Sequence, residues 1–332
     1  MNLDKLTINK DIKILITGCA GFIGSNLTEF LLKKGLSVVG FDNLSTGSKK
    51  NIDDALASVS EENKKIDFKF INGDIRNYSQ CLKNTKGVDI VLHQAALGSV
   101  QRSIEKPLDS NSANIDGTLN MLKASAENKV KRFVYASSSS VYGDSAKLPK
   151  DESMPTNPRS IYAVTKLASE YYCRLFYNLY GLETISLRYF NVFGKRQNPD
   201  SIYSAVIPIF LKKVTGNEQP VIYGDGNQSR DFTYIDNVIY ANYLACFTEN
   251  KDAFGNYYNV ACGSKTSLNE IIGFLSKYFN KEINPAYSDE RKGDVRHSLA
   301  SLDKIKKDLD YSPVVNFNEG LIKTCQYYYK IH

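Results

Sequence analysis

A tyrosine and a lysine four residues apart stand in the stretch Ser160-Ile161-Tyr162-Ala163-Val164-Thr165-Lys166, just after Pro158. The stretch opens a long helical pattern, so Tyr162 and Lys166 share one face, one turn apart. A nearby ammonium favours the phenolate of a tyrosine and lowers its pKa, which turns a weak acid into a base usable near neutral pH. Taken alone, the pair is equally well explained as a surface contact on an amphipathic helix. The rest of the chain must supply something for that base to act on.

Glycines supply the second chemical signal. The β-branched run Ile12–Thr17 leads directly into Gly18-Cys19-Ala20-Gly21-Phe22-Ile23-Gly24, and an apolar-periodic helix continues through Leu32. Strand, glycine turn and helix in this order let the backbone approach a diphosphate, with N–H groups and the positive dipole at the helix start around Phe22 and Ile23. The spacing is G-x-x-G-x-x-G, and the alternative is a merely tight turn. A second strand, 37–41, ends at Asp42-Asn43. An acidic residue at that distance after the glycines bonds a ribose hydroxyl pair and repels a 2′-phosphate, which favours NAD over NADP. After a third strand, 68–71, Asp74 beside Ile75 could meet an adenine amino group. A fourth, 88–93, ends in Gln94-Ala95-Ala96, small enough for close backbone approach to a cofactor. A fifth, 131–136, ends in the run Ser137–Ser140.

These strands alternate with helical stretches, one of them expected over 111–128. That pattern predicts an α/β fold, a Rossmann-type doubly wound parallel sheet. The polar stretch 48–66 reads as a surface excursion, and the proline-bearing stretch 144–160 as a loop leading into Tyr162. A sixth strand spans 183–190. Beyond it regularity weakens. Helices are expected near 205–214, 236–249, 267–279 and 317–330, and short strands at 221–223 and 257–260. Ser267 and Glu270 form a capping box. The division is a NAD-binding domain, 1–190, and a smaller mixed α/β substrate domain, 191–332, with a segment near 231–262 free to pack back onto the first.

Composition narrows the class. The 332 residues are 42% hydrophobic and 23% charged, ordinary for a globular protein. No apolar run approaches the ~20 residues of a membrane span, and the N-terminus carries no signal-peptide pattern, so a cytoplasmic protein without membrane contact is expected. The six cysteines form no C-x-x-C pair and the three histidines show no ligand spacing. Reduced thiols and no metal are therefore expected. The net charge of +6 is spread over scattered lysines, which does not make a nucleic-acid surface.

The motifs TGCAGFIGSNL, FDNLSTG, GDIRN, HQAALGSVQRS, YASSSSVYGD, YAVTK, LRYFNVFG, SRDFTYIDN and GDVRHSLA follow in order over nearly the whole length. In this the chain resembles the extended short-chain dehydrogenase/reductase family, and within it the UDP-sugar 4-epimerases, most nearly the bacterial group interconverting UDP-N-acetylglucosamine and UDP-N-acetylgalactosamine for surface polysaccharide. The resemblance implies that Ser138 orients the sugar hydroxyl and Tyr162 is the base. Lys166 lowers the tyrosine pKa and holds the nicotinamide ribose. C4 is oxidised to a 4-keto sugar, which turns over and is reduced from its other face. The resemblance adds Ser45, Gly47 and Tyr189 to the NAD contacts. Its substrate positions fall on Gly98, Ser99, Ser139, Ser140, Asn191, Gln197, Val206, Tyr223, Arg230, Arg291 and Asp294, with Arg230 and Arg291 gripping the diphosphate. Ser298 matches a position that gates the sugar pocket, where a small residue admits a 2-acetamido group. A homodimer through the helices at 111–128 and 161–178 is the family expectation. A 4,6-dehydratase would need an Asp-Glu pair where Ser139 and Ser140 stand. A net dehydrogenase, a 4-epimerase of UDP-N-acetylhexosaminuronic acids and one of UDP-glucose/galactose are the other readings.

Overall fold

Residues 11–62, 66–200, 205–290 and 296–329 are described in this computed structural model. The chain first lays down six strands: β1 (Lys13–Thr17), β2 (Ser37–Asp42), β3 (Phe68–Asn72), β4 (Ile90–His93), β5 (Arg132–Ser138) and β6 (Glu183–Tyr189). All are parallel, in the spatial order β3-β2-β1-β4-β5-β6. Central strands of such a sheet are covered on both faces and so are continuously apolar. Ile14-Leu15-Ile16 of β1 and Ile90-Val91-Leu92 of β4 are all buried. The order reverses between β1 and β4, which opens a crevice beyond their carboxyl ends.

The crossovers are α1 (Phe22–Lys33), α2 (Lys49–Ser60), α3 (Tyr78–Thr85), α4 (Val100–Glu105), α5 (Pro107–Asn111), α6 (Gly117–Glu127) and α7 (Ile161–Tyr180). Two differ from the sequence expectation. The stretch 48–66 is not a mere surface excursion: Ser48 caps α2, accepting from the Lys50 amide at 3.2 Å, and Ile52, Ala55 and Val59 are buried. Helix α2 packs on α1. The helix expected over 111–128 begins earlier, at Pro107, and is interrupted by one wide turn, Ser112–Asp116. Wide turns of this kind cluster at functional sites. Helix α7 is sharply bounded, with Ser160 accepting from the Ala163 amide at 3.1 Å and Gly181 at φ +69° ending it.

The second half contributes β7 (Val192–Phe193), α8 (Val206–Thr215), β8 (Val221–Tyr223), β9 (Ser229–Arg230), β10 (Thr233–Tyr234), α9 (Ile235–Phe247), β11 (Asn256–Val260), β12 (Thr266–Ser267), α10 (Leu268–Phe279), β13 (Ala286–Ser288), α11 (Asp303–Leu309) and α12 (Phe317–Tyr329). Strand β11 joins the main sheet as its seventh member, parallel to β6 with Tyr258 opposite Leu187. Helix α9 packs against β5, β6 and α1, which explains why it is apolar around most of its circumference. The remaining short strands pair as β10 with β7, β12 with β9 and β13 with β8. The expected box at the start of α10 is formed, with Glu270 accepting from the Ser267 amide at 2.7 Å. No described helix is long and apolar enough to cross a membrane, and among the described residues no cluster of His, Cys, Asp or Glu is arranged to hold a metal.

Candidate active site

The glycine turn packs β1, β4 and α1 closer than side chains would allow. Gly18 has φ +70°, and a Cβ there would lie 2.7 Å from the Ala95 amide nitrogen. A Cβ on Gly24 would sit 2.1 Å from the Gly18 carbonyl oxygen, and one on Gly47 2.7 Å from the Ala20 carbonyl carbon. Gly21 caps α1 without a side chain, so the first-turn amides at Phe22 and Ile23 have no side-chain cap and remain available to a ligand. In front of the turn lies a cavity of about 440 Å³. Gly18, Gly21, Asp42, Asn43, Ser45 and Gly47 line it. Asp74, Ile75, Gln94, Ala95 and Ala96 line it as well. Such a glycine cradle, with uncapped amides and the Asp42 and Asp74 carboxylates, fits a dinucleotide.

Those carboxylates are already ordered. Asp42 accepts from the Ala20 amide at 2.9 Å and the Leu44 amide at 2.7 Å. Asp74 accepts from Arg76 Nη2 at 2.6 Å and Asn43 Nδ2 at 3.0 Å. The Arg76 hydrogen bonds hold its pKa down at about 2, against the smaller effect of burial. Arg76, Arg102 and Lys106 also line this cavity. Sequence reading missed them, although Arg102 and Lys106 stand one turn apart, where a helix presents both to one side.

The serine run ends β5. Ser138 is the strand's last residue, and its Oγ accepts from the Ser140 amide at 3.2 Å and the Ser140 hydroxyl at 2.9 Å. Opposite it, α7 presents Tyr162, Lys166 and Glu170 at successive turns. Lys166 is buried, 3% exposed, and its Nζ donates to the Ala136 carbonyl at 2.8 Å. Its ammonium lies 5.0 Å from the Tyr135 ring centre and 5.8 Å from that of Tyr162. Burial pulls the Lys166 pKa down to about 8, partly opposed by Cys173 and Glu170. For Tyr162 the expected lowering by Lys166 is not what the protein itself produces. Burial raises its pKa, and the hydrogen bond with Ser138 is what opposes the rise. The Ala136 carbonyl takes one of the three N–H donors of the lysine.

Two further residues fix this constellation. Glu170 accepts from Ser137 Oγ, beside Ser138, and from Arg188 Nε at 2.9 Å and Nη2 at 2.7 Å. Asn114, in the wide turn before α6, accepts from the Leu97 amide at 2.7 Å. It also donates to the Leu97 carbonyl at 3.1 Å and to Thr165 Oγ1 at 3.0 Å. It thereby joins the loop after β4 to the helix of Tyr162. Asn114 carried no signal in a stretch that reads as plain helix. Ser99, in the same loop, holds φ +92° and caps α4, while Gly98 before it is exposed. Tyr189 stands behind the cavity lining: its hydroxyl accepts from Asn242 Nδ2 at 2.8 Å and from Nε2 of Gln94, which lines the cavity, at 3.3 Å.

A second cavity, of about 260 Å³, gathers Asn191, Val206 and Arg230 with Gln228, Phe232 and Leu268. Arg230 Nη1 donates to the carbonyls of Ser229 at 3.1 Å and Arg296 at 3.0 Å. Ser298 is buried, and its amide donates to the Ser229 carbonyl at 3.0 Å, placing it beside the Arg230 strand. Gln197 Nε2 donates to the Val192 carbonyl at 3.2 Å, while its buried Oε1 has no donor among the described residues. Tyr223, on β8, is 39% exposed and lines neither cavity. Arg291 and Asp294 lie outside the described residues.

The chain matches the NAD dependent epimerase/dehydratase family over residues 14–261. It is 37% identical to a putative UDP-glucose 4-epimerase of Methanocaldococcus jannaschii, over 93% of this chain and 95% of that one. Among solved structures it is similar to a UDP-N-acetylglucosamine 4-epimerase from Methanobrevibacter ruminantium M1 in complex with UDP-N-acetylmuramic acid. The TM-score there is 0.89 and the identity 36%, covering 97% of this chain and 99% of that one. It is likewise similar to a UDP-glucuronic acid 4-epimerase from Bacillus cereus in complex with UDP-glucuronic acid and NAD, with TM-score 0.85 and identity 32%, covering 97% and 100%.

Proposed function

The chain belongs to the NAD-dependent epimerase/dehydratase family, and on that premise we propose that this NAD-dependent UDP-sugar 4-epimerase interconverts UDP-N-acetylglucosamine and UDP-N-acetylgalactosamine. The observation that carries an epimerase reading is the buried Lys166 one helical turn from Tyr162, its ammonium 5.8 Å from the phenol ring centre, opposite the Ser138 end of β5. It stands at the sheet end next to the glycine cradle. In this reading Ser138 orients the C4 hydroxyl, and the Tyr162 oxygen takes its proton and gives it back on the return. NAD, when bound, supplies the hydride acceptor, the hydride donor for the return, and a cationic ring that favours the Tyr162 phenolate. Lys166 holds the ribose with the N–H donors that Ala136 leaves unused. Asn191, Val206 and Arg230 hold the nucleotide end in the second cavity. Residues 1–190, with 231–262 returning to the sheet, serve the cofactor, and the remainder serves the sugar nucleotide.

The N-acetyl preference rests on Ser298, a small buried residue beside Arg230, and on the similarity to the UDP-N-acetylglucosamine 4-epimerase. Purified protein is to be incubated separately with UDP-N-acetylglucosamine, UDP-glucose, UDP-glucuronate and a UDP-N-acetylhexosaminuronate, and the products followed by NMR. The N-acetylhexosamine is expected to turn over with the highest kcat/KM; a faster uronate or glucose reaction overturns the assignment. Net NADH release would point to a dehydrogenase instead.

We also propose a homodimer through α7. Ile161, Val164, Tyr171, Leu175 and Leu179 are exposed along that helix, which is 20 residues long, and Val100, Ile104 and Leu108 on α4 and α5 extend the patch. With the helix expected over 111–128, which starts at Pro107, α4 and α5 complete this face. An apolar stripe this long on a soluble monomer is uncommon, and a two-fold pairing of identical stripes covers it with one surface. Sedimentation at micromolar concentration gives a dimer, and a monomer under those conditions removes the proposal.

A further inference from the structure

Asp231 follows Arg230 and is fully buried. Its Oδ1 accepts from the Cys262 amide at 2.9 Å, and its Oδ2 from the Gly263 amide at 3.1 Å and the Ala300 amide at 3.2 Å. Every hydrogen bond named for this carboxylate comes from backbone N–H. Its own carbonyl accepts from Asn191 Nδ2 at 3.1 Å. One residue therefore reaches three segments. Cys262 and Gly263 follow the edge strand β11, Ala300 stands two residues after Ser298, and Asn191 lines the second cavity.

The segment at Ser298 has other anchors, most of them on the second half of the chain and the loop before Tyr162. Ser298 donates to Ser229, and Lys150 donates its amide to the Leu299 carbonyl at 2.7 Å and accepts from the Ser301 amide at 2.8 Å. These fix the segment against β9 and against the loop before Tyr162. The Asp231 carboxylate ties it to the loop that follows β11, and Asn259 of β11 adds a bond to the Ser301 carbonyl at 3.3 Å. A fold needs no carboxylate for that purpose: an uncharged acceptor or an apolar side chain costs less to bury. A buried charge kept without a cation is what a site retains when position matters.

We propose that Asp231 is a positioning residue for substrate selection. By holding the Ser298–Ala300 segment, Arg230 and Asn191 in one register against the end of β11, it sets the width of the sugar pocket and the place of the diphosphate grip. This rests on the reading of Ser298 as the residue beside the sugar. Burial raises the Asp231 carboxyl to about 7, with the amides acting in the opposite direction. The clamp is strongest when the carboxylate is ionised, so it loosens as pH falls through about 7. The other titratable or charged groups facing it are Cys262 and Tyr311, both raised by burial, Arg230 beside it, His297 next to Ser229 and Lys150 behind Ala300.

The test uses the NAD-loaded enzyme, Asp231→Asn and, as a control for the imidazole, His297→Gln. An asparagine presents an NH2 where two amides now donate, so one pair of contacts is lost. KM for UDP-N-acetylglucosamine should rise about tenfold, the cost of one to two such bonds, with kcat and bound NAD unchanged. The ratio of kcat/KM between UDP-N-acetylglucosamine and UDP-glucose should also move toward unity. In the wild type and His297→Gln, KM should climb as pH drops below about 7, and in Asp231→Asn it should stay flat. An unchanged KM and ratio overturns the proposal, as does loss of NAD together with kcat, which marks a plain structural role. Should Asp231→Asn fail to accumulate, the wild-type profile decides: a KM independent of pH removes the clamp. If the wild type instead prefers another UDP-sugar, the substrate reading fails, and the KM and pH arms for that sugar still decide the role of Asp231.

Discussion

Glu29 of α1 offers a prediction whose size follows from the structure. Its carboxylate is 5% exposed and bonds Lys195 Nζ at 2.7 Å, Arg196 Nη2 and, through Lys33 Nζ at 3.1 Å, its own helix. Burial opposes its charge, but Lys195 and Arg196 outweigh burial and bring its pKa from 4.5 down to about 2. A depressed carboxyl contributes stability above its unfolded pKa and loses it as pH falls through the folded one. The difference of 2.5 units corresponds to about 3 kcal/mol, present at pH 7 and gone near pH 2. Glu29→Gln also leaves Arg196 buried without its counter-ion, a loss of the same order, about 3–5 kcal/mol. Urea unfolding of both proteins across that range is the assay. The gap should be about 3 kcal/mol at neutral pH and should close steadily in acid. A gap that does not change with pH would refute the reasoning, because Glu29 would then act through packing rather than charge. The latch joins the glycine-turn helix to residues 195–196, just beyond Asn191 and Val192, so KM for the UDP-sugar should rise in the same variant.

Tyr162→Phe removes one hydroxyl and should cost at least about 10³-fold in kcat while NAD still co-purifies; activity near wild type would end its role as the base. Ser298→Tyr should lower kcat/KM for UDP-N-acetylglucosamine far more than for UDP-glucose, and equal losses on the two would dismiss the steric argument. Gly24→Ala places a methyl 2.1 Å from the Gly18 carbonyl oxygen. The backbone must move, at a cost of about 1–3 kcal/mol, and the protein should be recovered with little NAD; full occupancy would show that the turn has slack.

The parts legible in the sequence are those where local chemistry leaves no alternative. Gly18 needs positive φ and has no room for a Cβ, so a glycine signal and a structural need coincide. The Tyr162 face is legible because helical spacing is a local rule. The β11 strand is visible as the short run Tyr257–Val260, but its place beside β6 is not, because a pairing across 71 residues leaves no period in either segment. Asn114 and Asp231 were missed for a related reason. Asn114 bonds a loop and a helix on opposite sides of it in the sequence. Asp231 sits inside the quoted motif SRDFTYIDN, where the arginine suggests phosphate and the aspartate suggests only solubility. Their roles depend on which amides point at them, and amides are the same at every residue.

Lys166 and Tyr162 carry this argument one step further. The protein moves both pKa values away from what a Tyr-Lys pair in water would suggest: the lysine falls to about 8 and the tyrosine rises. A buried lysine with a lowered pKa gives up its proton on folding above pH 8, whereas the unfolded chain holds it until about 10.5. Between those values the unfolded state binds more protons, so folding stability gains from this group as pH rises, by up to about 3 kcal/mol. Activity should run the other way, since the ribose-holding charge is lost over the same range. Lys166→Met isolates the two effects. Wild type should be destabilised relative to the variant at neutral pH, and that deficit should shrink between pH 8 and 10, while its epimerase rate falls. A stability difference that stays constant over that range would mean that the lysine remains charged in its pocket, held so by a partner stronger than the Ala136 carbonyl.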